Sequence, residues 1–235
     1  MDGFLNLLFP PYCVGCGTFF FPSRYKYLCD RCEKRISSVN PQRCPYCEKQ
    51  SPFGMTHVSC ERRFGLDGLL SCVLYTPPIT RLIQAWKYRF ARDVEKDIVF
   101  LTRQKVVEAT SFFCSDMVVV PLPSATRRLF WRGFNPPLTL AQELSNLYSM
   151  EVCQVLRKRF GKPQVGQSQK ERSMNVRGAF ELIEKGRVQG KKVLLVDDVW
   201  TTGSTLKEAG KILKRAGRAR RVYALTFARS LSHRG

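Results

Sequence analysis

The sequence predicts an α/β protein, a parallel doubly wound sheet preceded by a small cysteine-rich module. Three observations carry that expectation. Apolar runs short enough for buried strands, 117–120 and 193–196 among them, alternate with helical stripes through residues 66–235, the order that a parallel sheet with covering helices requires. All three Cys-x-x-Cys pairs fall within residues 13–47. At 235 residues the chain is long enough for one full core plus a small second unit, and Gly65-Leu-Asp-Gly68 sets the expected division into 1–65 and 66–235.

In the cysteine module, two residues between thiolates make a tight knuckle that presents both sulfurs to one tetrahedral ion, and a site takes two knuckles. Cys13, Cys16, Cys29 and Cys32 form a complete set, with Phe19-Phe-Phe21 between the pairs to pack beneath a zinc ion. The third pair, Cys44 and Cys47, has no fourth one, because Arg63 stands where a cysteine would complete Cys60-Glu-Arg-Arg. His57-Val-Ser-Cys60 supplies a His-x-x-Cys instead, so a second site of Cys44, Cys47, His57 and Cys60 is expected. Spacing alone leaves interleaved pairing between the sets open, and with it one structural zinc or two. Redox chemistry is disfavoured, since the pairs cluster without a βαβ context.

The body opens with a strand at 69–75. Pro77-Pro78 starts a helix whose Ile79, Leu82, Ile83 and Trp86 share a face and whose end carries Lys87. A second helix is expected from Asp93 to Ala109, then a buried strand at 117–120. That strand runs into Pro121-Leu-Pro-Ser-Ala-Thr-Arg-Arg128, a loop leaving the carboxyl edge of a parallel sheet, where Ser124 and Thr126 offer donors. Trp131-Arg-Gly-Phe-Asn135 follows and leads into a helix. Arg132 suits a bidentate phosphate contact, and Asn135 suits either a ligand or a helix cap.

A short strand is expected at 152–156, then the basic, aperiodic stretch 157–173, long enough for a lid or a binding loop. Val193-Leu-Leu-Val196 is a strand buried on both faces, and it ends in Asp197 and Asp198. Beyond Trp200, the run Thr201, Thr202, Gly203, Ser204, Thr205 enters a helix to about Ala216. Strand, tight turn and helix start bring several amides and the positive helix end to one point, which suits a phosphate. Two acids beside it suit sugar hydroxyls and a hydrated magnesium ion. A last strand is expected at 222–227. The lone cysteines Cys72, Cys114 and Cys153 read as small buried hydrophobes.

The charge balance is unusual: 39 Lys and Arg against 19 Asp and Glu give a formal net charge of +20, which favours polyanionic partners. No apolar run approaches the roughly 18 residues of a membrane span, and the first ten residues lack a basic signal-peptide region, so a cytoplasmic protein is expected.

The 193–205 stretch resembles the signature of type I phosphoribosyltransferases: hydrophobic residues, two acids and a Thr-Thr-Gly-x-Thr loop. Together with the cysteines, nearly the whole chain resembles the ComF family of competence-associated, phosphoribosyltransferase-like bacterial proteins. The resemblance implies phosphoribosyl pyrophosphate bound with magnesium, the 5′-phosphate on Thr201–Thr205 and the ribose on Asp197 and Asp198. It also implies a pyrophosphate loop around Ser124, with Lys87, Arg132 and Asn135 near the ligand and Arg172 brought over the pyrophosphate when the long loop closes. It implies a link to DNA uptake but no acceptor for the sugar. The alternative is a non-catalytic scaffold that binds single-stranded DNA or a competence helicase, with Trp131, Phe134 and Phe160 beside arginines as stacking residues.

Overall fold

The computed structural model describes residues 12–22, 24–63, 65–88, 93–109, 116–124, 126–159 and 178–231. Beyond the cysteine module, which carries a one-turn helix at Asp30–Glu33, its strands and α-helices are β1 (Gly68–Leu74), α1 (Ile79–Tyr88), α2 (Val94–Val107), β2 (Met117–Pro121), α3 (Thr126–Arg132), α4 (Pro136–Tyr148), β3 (Glu151–Val152), β4 (Leu156–Lys158), β5 (Phe180–Leu182), β6 (Lys192–Trp200), α5 (Ser204–Arg215) and β7 (Arg221–Arg229). Five strands make one sheet in the order β1-β7-β6-β2-β3, with every pairing parallel. Parallel strands need crossovers, and helices supply them on both faces. Leu194 and Val196 pack with α1, α2 and α4, while Val193 and Leu195 pack with α5. All four are fully buried, so each side chain contributes about 1.5–3 kcal/mol of apolar burial, which is why an uninterrupted apolar run forms the central strand.

The expectation of one strand at 152–156 is corrected. Glu151 and Val152 pair with β2 at the sheet edge, whereas Leu156–Lys158 leaves the sheet and pairs antiparallel with β5. The separate ribbon buries Leu156 and Phe180 against the α5 side of the core. The loop expected through residue 128 is also corrected, since α3 begins at Thr126.

The cysteine module is stitched to the open edge of β1. Val39 N donates to Cys72 O at 3.1 Å and Leu74 N to Ser37 O at 2.8 Å. Next along β1, the Gln42 amide imitates a strand, accepting from Ser71 N at 3.0 Å and donating to Ser71 O at 2.9 Å. An unpaired sheet edge is thereby covered. The α5 helix approaches the module's end so closely that a Cβ at Gly210 would lie 2.9 Å from Gly65 O, which accounts for a glycine inside a helix. Cys72 and Cys153 are buried, as expected; Cys114 lies outside the described residues. No helix among the described residues is long and apolar enough to cross a membrane.

Candidate functional site

Strand β6 does not stop at the two acids. It continues to pair with β7 through Asp197↔Thr226, Val199↔Ala228 and Trp200↔Arg229, because its neighbour is equally long. The acids therefore sit on a rigid ladder and not in a loop. Consecutive side chains leave a strand on opposite sides, and only Asp198 pairs with α1: its Oδ2 lies 2.5 Å from Lys87 Nζ, both side chains mostly buried. The Asp197 Oδ1 accepts the Asp198 amide at 2.9 Å. Burial, then the charge of Asp198, push the Asp197 carboxyl up to about 8, against the pull of Lys87 and Lys158. The two adjacent acids share one close cation, Lys87.

The turn after β6 is shaped for an anion. Gly203 adopts φ 69° and ψ 8° immediately before α5, a left-handed conformation open to glycine. Among the described residues the amides of Thr201, Thr202 and Gly203 donate to no backbone carbonyl. The Ser204 amide reaches only Thr202 Oγ1, at 3.4 Å. Thr201 and Thr202 are exposed and Gly203 is buried, so the turn opens to solvent at its first two residues, just before a helix start where the dipole favours negative charge. Lys207, one turn into α5, closes the cradle by donating from Nζ to Thr202 O at 3.1 Å.

The neighbouring strand carries a second cluster. Leu122 N donates to Val196 O at 2.9 Å, which holds the β2 exit loop beside the acids. Ser124 Oγ donates to Asn135 Oδ1 at 2.7 Å, and Asn135 Nδ2 donates to Leu122 O at 3.1 Å. Asn135 occupies the N-cap position of α4 without capping it, so its side chain orders the loop. Ser124 and Asn135 wall a cavity of about 380 Å³ with Gln142 and Gln154. Arg132 ends α3 three residues before Asn135. Phe134 packs on Trp86 with ring centroids 5.9 Å apart and joins the core, so it is not a free stacking surface, whereas Phe130 and Trp131 are 86% and 67% exposed. Arg172 and Phe160 lie outside the described residues.

Sequence reasoning missed Trp200, Lys207 and Lys158. The ring of Trp200 underlies Gly203, Lys207 binds the turn, and Lys158 acts on Asp197 from β4. Only Lys158 had a local signal, in the basic run 157–159.

In the module, Cys13, Cys16, Cys29 and Cys32 bring their sulfurs within 4.8 Å of one another, and Cys44, Cys47, His57 and Cys60 do the same with one ligand atom each. The Cys16–Cys29 sulfur separation is 3.7 Å, matching the roughly 3.8 Å edge of a tetrahedron with Zn–S bonds of about 2.3 Å. His57 Nε2 lies 3.1 Å from Gln50 O and can only donate there, which leaves Nδ1 as a lone pair 3.2 Å from Cys47 Sγ. Burial works against a Cys44 thiolate, yet the amides of Cys47, His57 and Tyr46 together lower its pKa; Thr18 lowers Cys16 to about 6. Both quartets thus fit a thiophilic divalent ion, in the two consecutive sets and not interleaved.

A parallel sheet with an acid pair and an amide-lined turn after a central strand, joined to two knuckled cysteine sets, defines a phosphoribosyltransferase-fold protein with zinc ribbons. The phosphoribosyl transferase domain family matches residues 137–234 and the double zinc ribbon domain family matches residues 4–62. The chain is 30% identical to Competence protein F of Haemophilus influenzae over 81% of its own length and 85% of that protein. It is 31% identical to DNA utilization protein YhgH of Escherichia coli, covering 82% and 86%, and 24% identical to Competence protein ComFC of Bacillus subtilis, covering 86% and 84%. The chain belongs to the ComF family of competence proteins.

Proposed function

We propose that this chain binds phosphoribosyl pyrophosphate with magnesium at the end of β6. The observation that carries the reading is the meeting of an amide-rich turn, exposed at Thr201 and Thr202, with an acid pair held on a strand beside Lys87. Thr201, Thr202, Gly203, Ser204 and Thr205 take the 5′-phosphate through amides and hydroxyls. Asp197 and Asp198 orient the ribose hydroxyls and would hold hydrated magnesium, a cation whose charge would draw the Asp197 carboxyl back down and neutralise the pyrophosphate. Lys87 holds Asp198 in place through their ion pair. Ser124, set by Asn135, faces the leaving group, with Arg132 and Arg172 supplying charge. The reaction class is displacement of pyrophosphate at the anomeric carbon by a nitrogen nucleophile, for which the protein supplies position and electrostatics and no nucleophile of its own.

In this reading the two quartets hold structural zinc, Cys13, Cys16, Cys29 and Cys32 one ion and Cys44, Cys47, His57 and Cys60 the other, in a cytoplasmic protein whose thiolates stay reduced. A second reading has its own support: Phe130 and Trp131 stand exposed on α3, next to the pyrophosphate loop of a chain with net charge +20. Single-stranded DNA, delivered alone or by a helicase, stacks on such a surface. Its affinity would fall steeply with salt and depend on Trp131.

Calorimetric titration with phosphoribosyl pyrophosphate and magnesium tests the main reading. Saturable binding that weakens at least about tenfold in Asp197→Asn/Asp198→Asn is the expected result. Heat identical in the double variant removes the acids from the role assigned to them.

A further inference from the structure

The turn that cradles the phosphate does not stand on the sheet alone. A Cβ at Gly203 would lie 2.1 to 2.6 Å from three ring atoms of Trp200, so the turn rests directly on that indole. Trp200 is 1% exposed, and among the described residues its buried Nε1 has no hydrogen-bond partner, so none of them anchors the ring through that group. What holds it are two cations and the surrounding core. Lys207 Nζ lies 5.0 Å from the ring centroid and Arg229 Cζ 5.5 Å from it, both at cation–π distance.

Each of those cations also touches the second cysteine knuckle. Arg229 donates from Nη1 to Arg43 O at 3.2 Å, the carbonyl directly before Cys44. Lys207 Nζ sits 5.5 Å from the ring of Tyr46, which lies between Cys44 and Cys47. The Tyr46 hydroxyl in turn accepts Leu66 N at 2.8 Å, where the module meets the body. Arg229 is a buried arginine with no ion pair among the described residues and with Nη2 unpaired. A divalent ion held by three thiolates and a neutral imidazole carries a formal charge of about −1, which adds to the negative charge that Glu48 already sets against that guanidinium.

We propose that Trp200 is a positioning residue for the phosphate turn and that the second metal centre, acting through Arg229 and Tyr46, sets how firmly the turn is formed. Loss of that metal loosens the knuckle, frees each cation from its contact there, and weakens the clamp on the indole. Zinc in the second ribbon then controls phosphate affinity at a site it does not touch. The inference rests on the phosphate reading for its consequence, while the mechanical link stands on the contacts themselves.

The test has two arms. In the first, Arg229→Met and Arg229→Lys are compared with the native protein for zinc content, for affinity toward phosphoribosyl pyrophosphate with magnesium, and for amide exchange. The expected outcome is full zinc content in both, affinity at least about tenfold lower in Arg229→Met and largely restored in Arg229→Lys, which keeps a charge over the ring and a donor for the Arg43 carbonyl. In the second, Cys47→Ala/His57→Ala should lose the second zinc and show faster exchange across residues 201–207, with protection of Val193–Val196 retained. Unchanged exchange of 201–207 in both Arg229→Met and the zinc-deficient variant would overturn the link. A native protein that binds no phosphoribosyl pyrophosphate would defeat the proposed function instead, and the exchange data would still decide the coupling.

Discussion

Replacing Gly203 with alanine puts a single methyl group into the floor of the phosphate turn. Two costs add. At φ 69° an L-residue with a Cβ pays about 1 kcal/mol for the left-handed backbone. The new carbon would also sit 2.1, 2.2 and 2.6 Å from Trp200 ring atoms, well inside contact distance, so ring or turn must shift by more than about 1 Å. The ring has no room to move, being 1% exposed between Lys207 and Arg229, and overpacking of this kind costs about 1–3 kcal/mol. The sum, about 2–4 kcal/mol, corresponds to a fall in Tm of about 5–15 °C for a chain of this size. If the turn yields before the core does, the melt is spared and the same energy appears as lost affinity for the 5′-phosphate, more than about thirtyfold. Thermal unfolding and calorimetric titration of one preparation measure both. A variant within about 1 °C of the native Tm and within about twofold in affinity would refute the claim that the turn is seated on Trp200.

Other outcomes follow from the same geometry. With its folded pKa near 8 against 3.8 for a free carboxyl, Asp197 binds a proton in the folded state that the unfolded chain releases, so its contribution to stability is present at pH 4 and is lost as pH rises toward 8. Asp197→Asn should therefore raise Tm more at pH 8 than at pH 5; equal gains at both would contradict the raised pKa. Lys87→Met leaves Asp198 mostly buried without its cation and should cost about 1–3 kcal/mol at pH 7 in chemical denaturation, discounted for partial exposure, while Lys87→Arg should recover part of it. Cys13→Ser should release the first zinc and speed amide exchange through residues 12–36. Retained metal in that variant would dissolve the quartet Cys13, Cys16, Cys29 and Cys32.

Much of this was legible in the chain because it depends on local pattern. Four apolar residues without alternation specify a strand covered on both faces, and a Thr-Thr-Gly-Ser-Thr turn after it specifies a helix start with spare amides. Knuckle spacing points to the two quartets that the fold brings together, with His57 in place of a missing cysteine. What stayed hidden depends on residues far apart in sequence. The clamp on Trp200 joins Arg229 to Arg43, 186 residues away, and neither has a local signature. Asn135 reads as a helix cap from its neighbours, yet Ser124 and Leu122 O outcompete the helix amides for its side chain. The switch of the chain from β3 into a second small sheet likewise has no mark in the 152–156 pattern, where one apolar run serves two different pairings. The strand's extension past the acids was set by the length of β7, which only the tertiary pairing reveals.

The proposed site requires that the Thr201–Thr205 turn receive a phosphate. Amide chemical shifts of the isotopically labelled protein, followed while phosphoribosyl pyrophosphate and magnesium are added, read that contact residue by residue. Saturating shifts at Thr201, Thr202, Gly203, Ser204 and Thr205, accompanied by Asp197 and Asp198, are the predicted result. Resonances there that stay fixed at millimolar ligand, or that move no more than those of the distant cysteine knuckles, would contradict it.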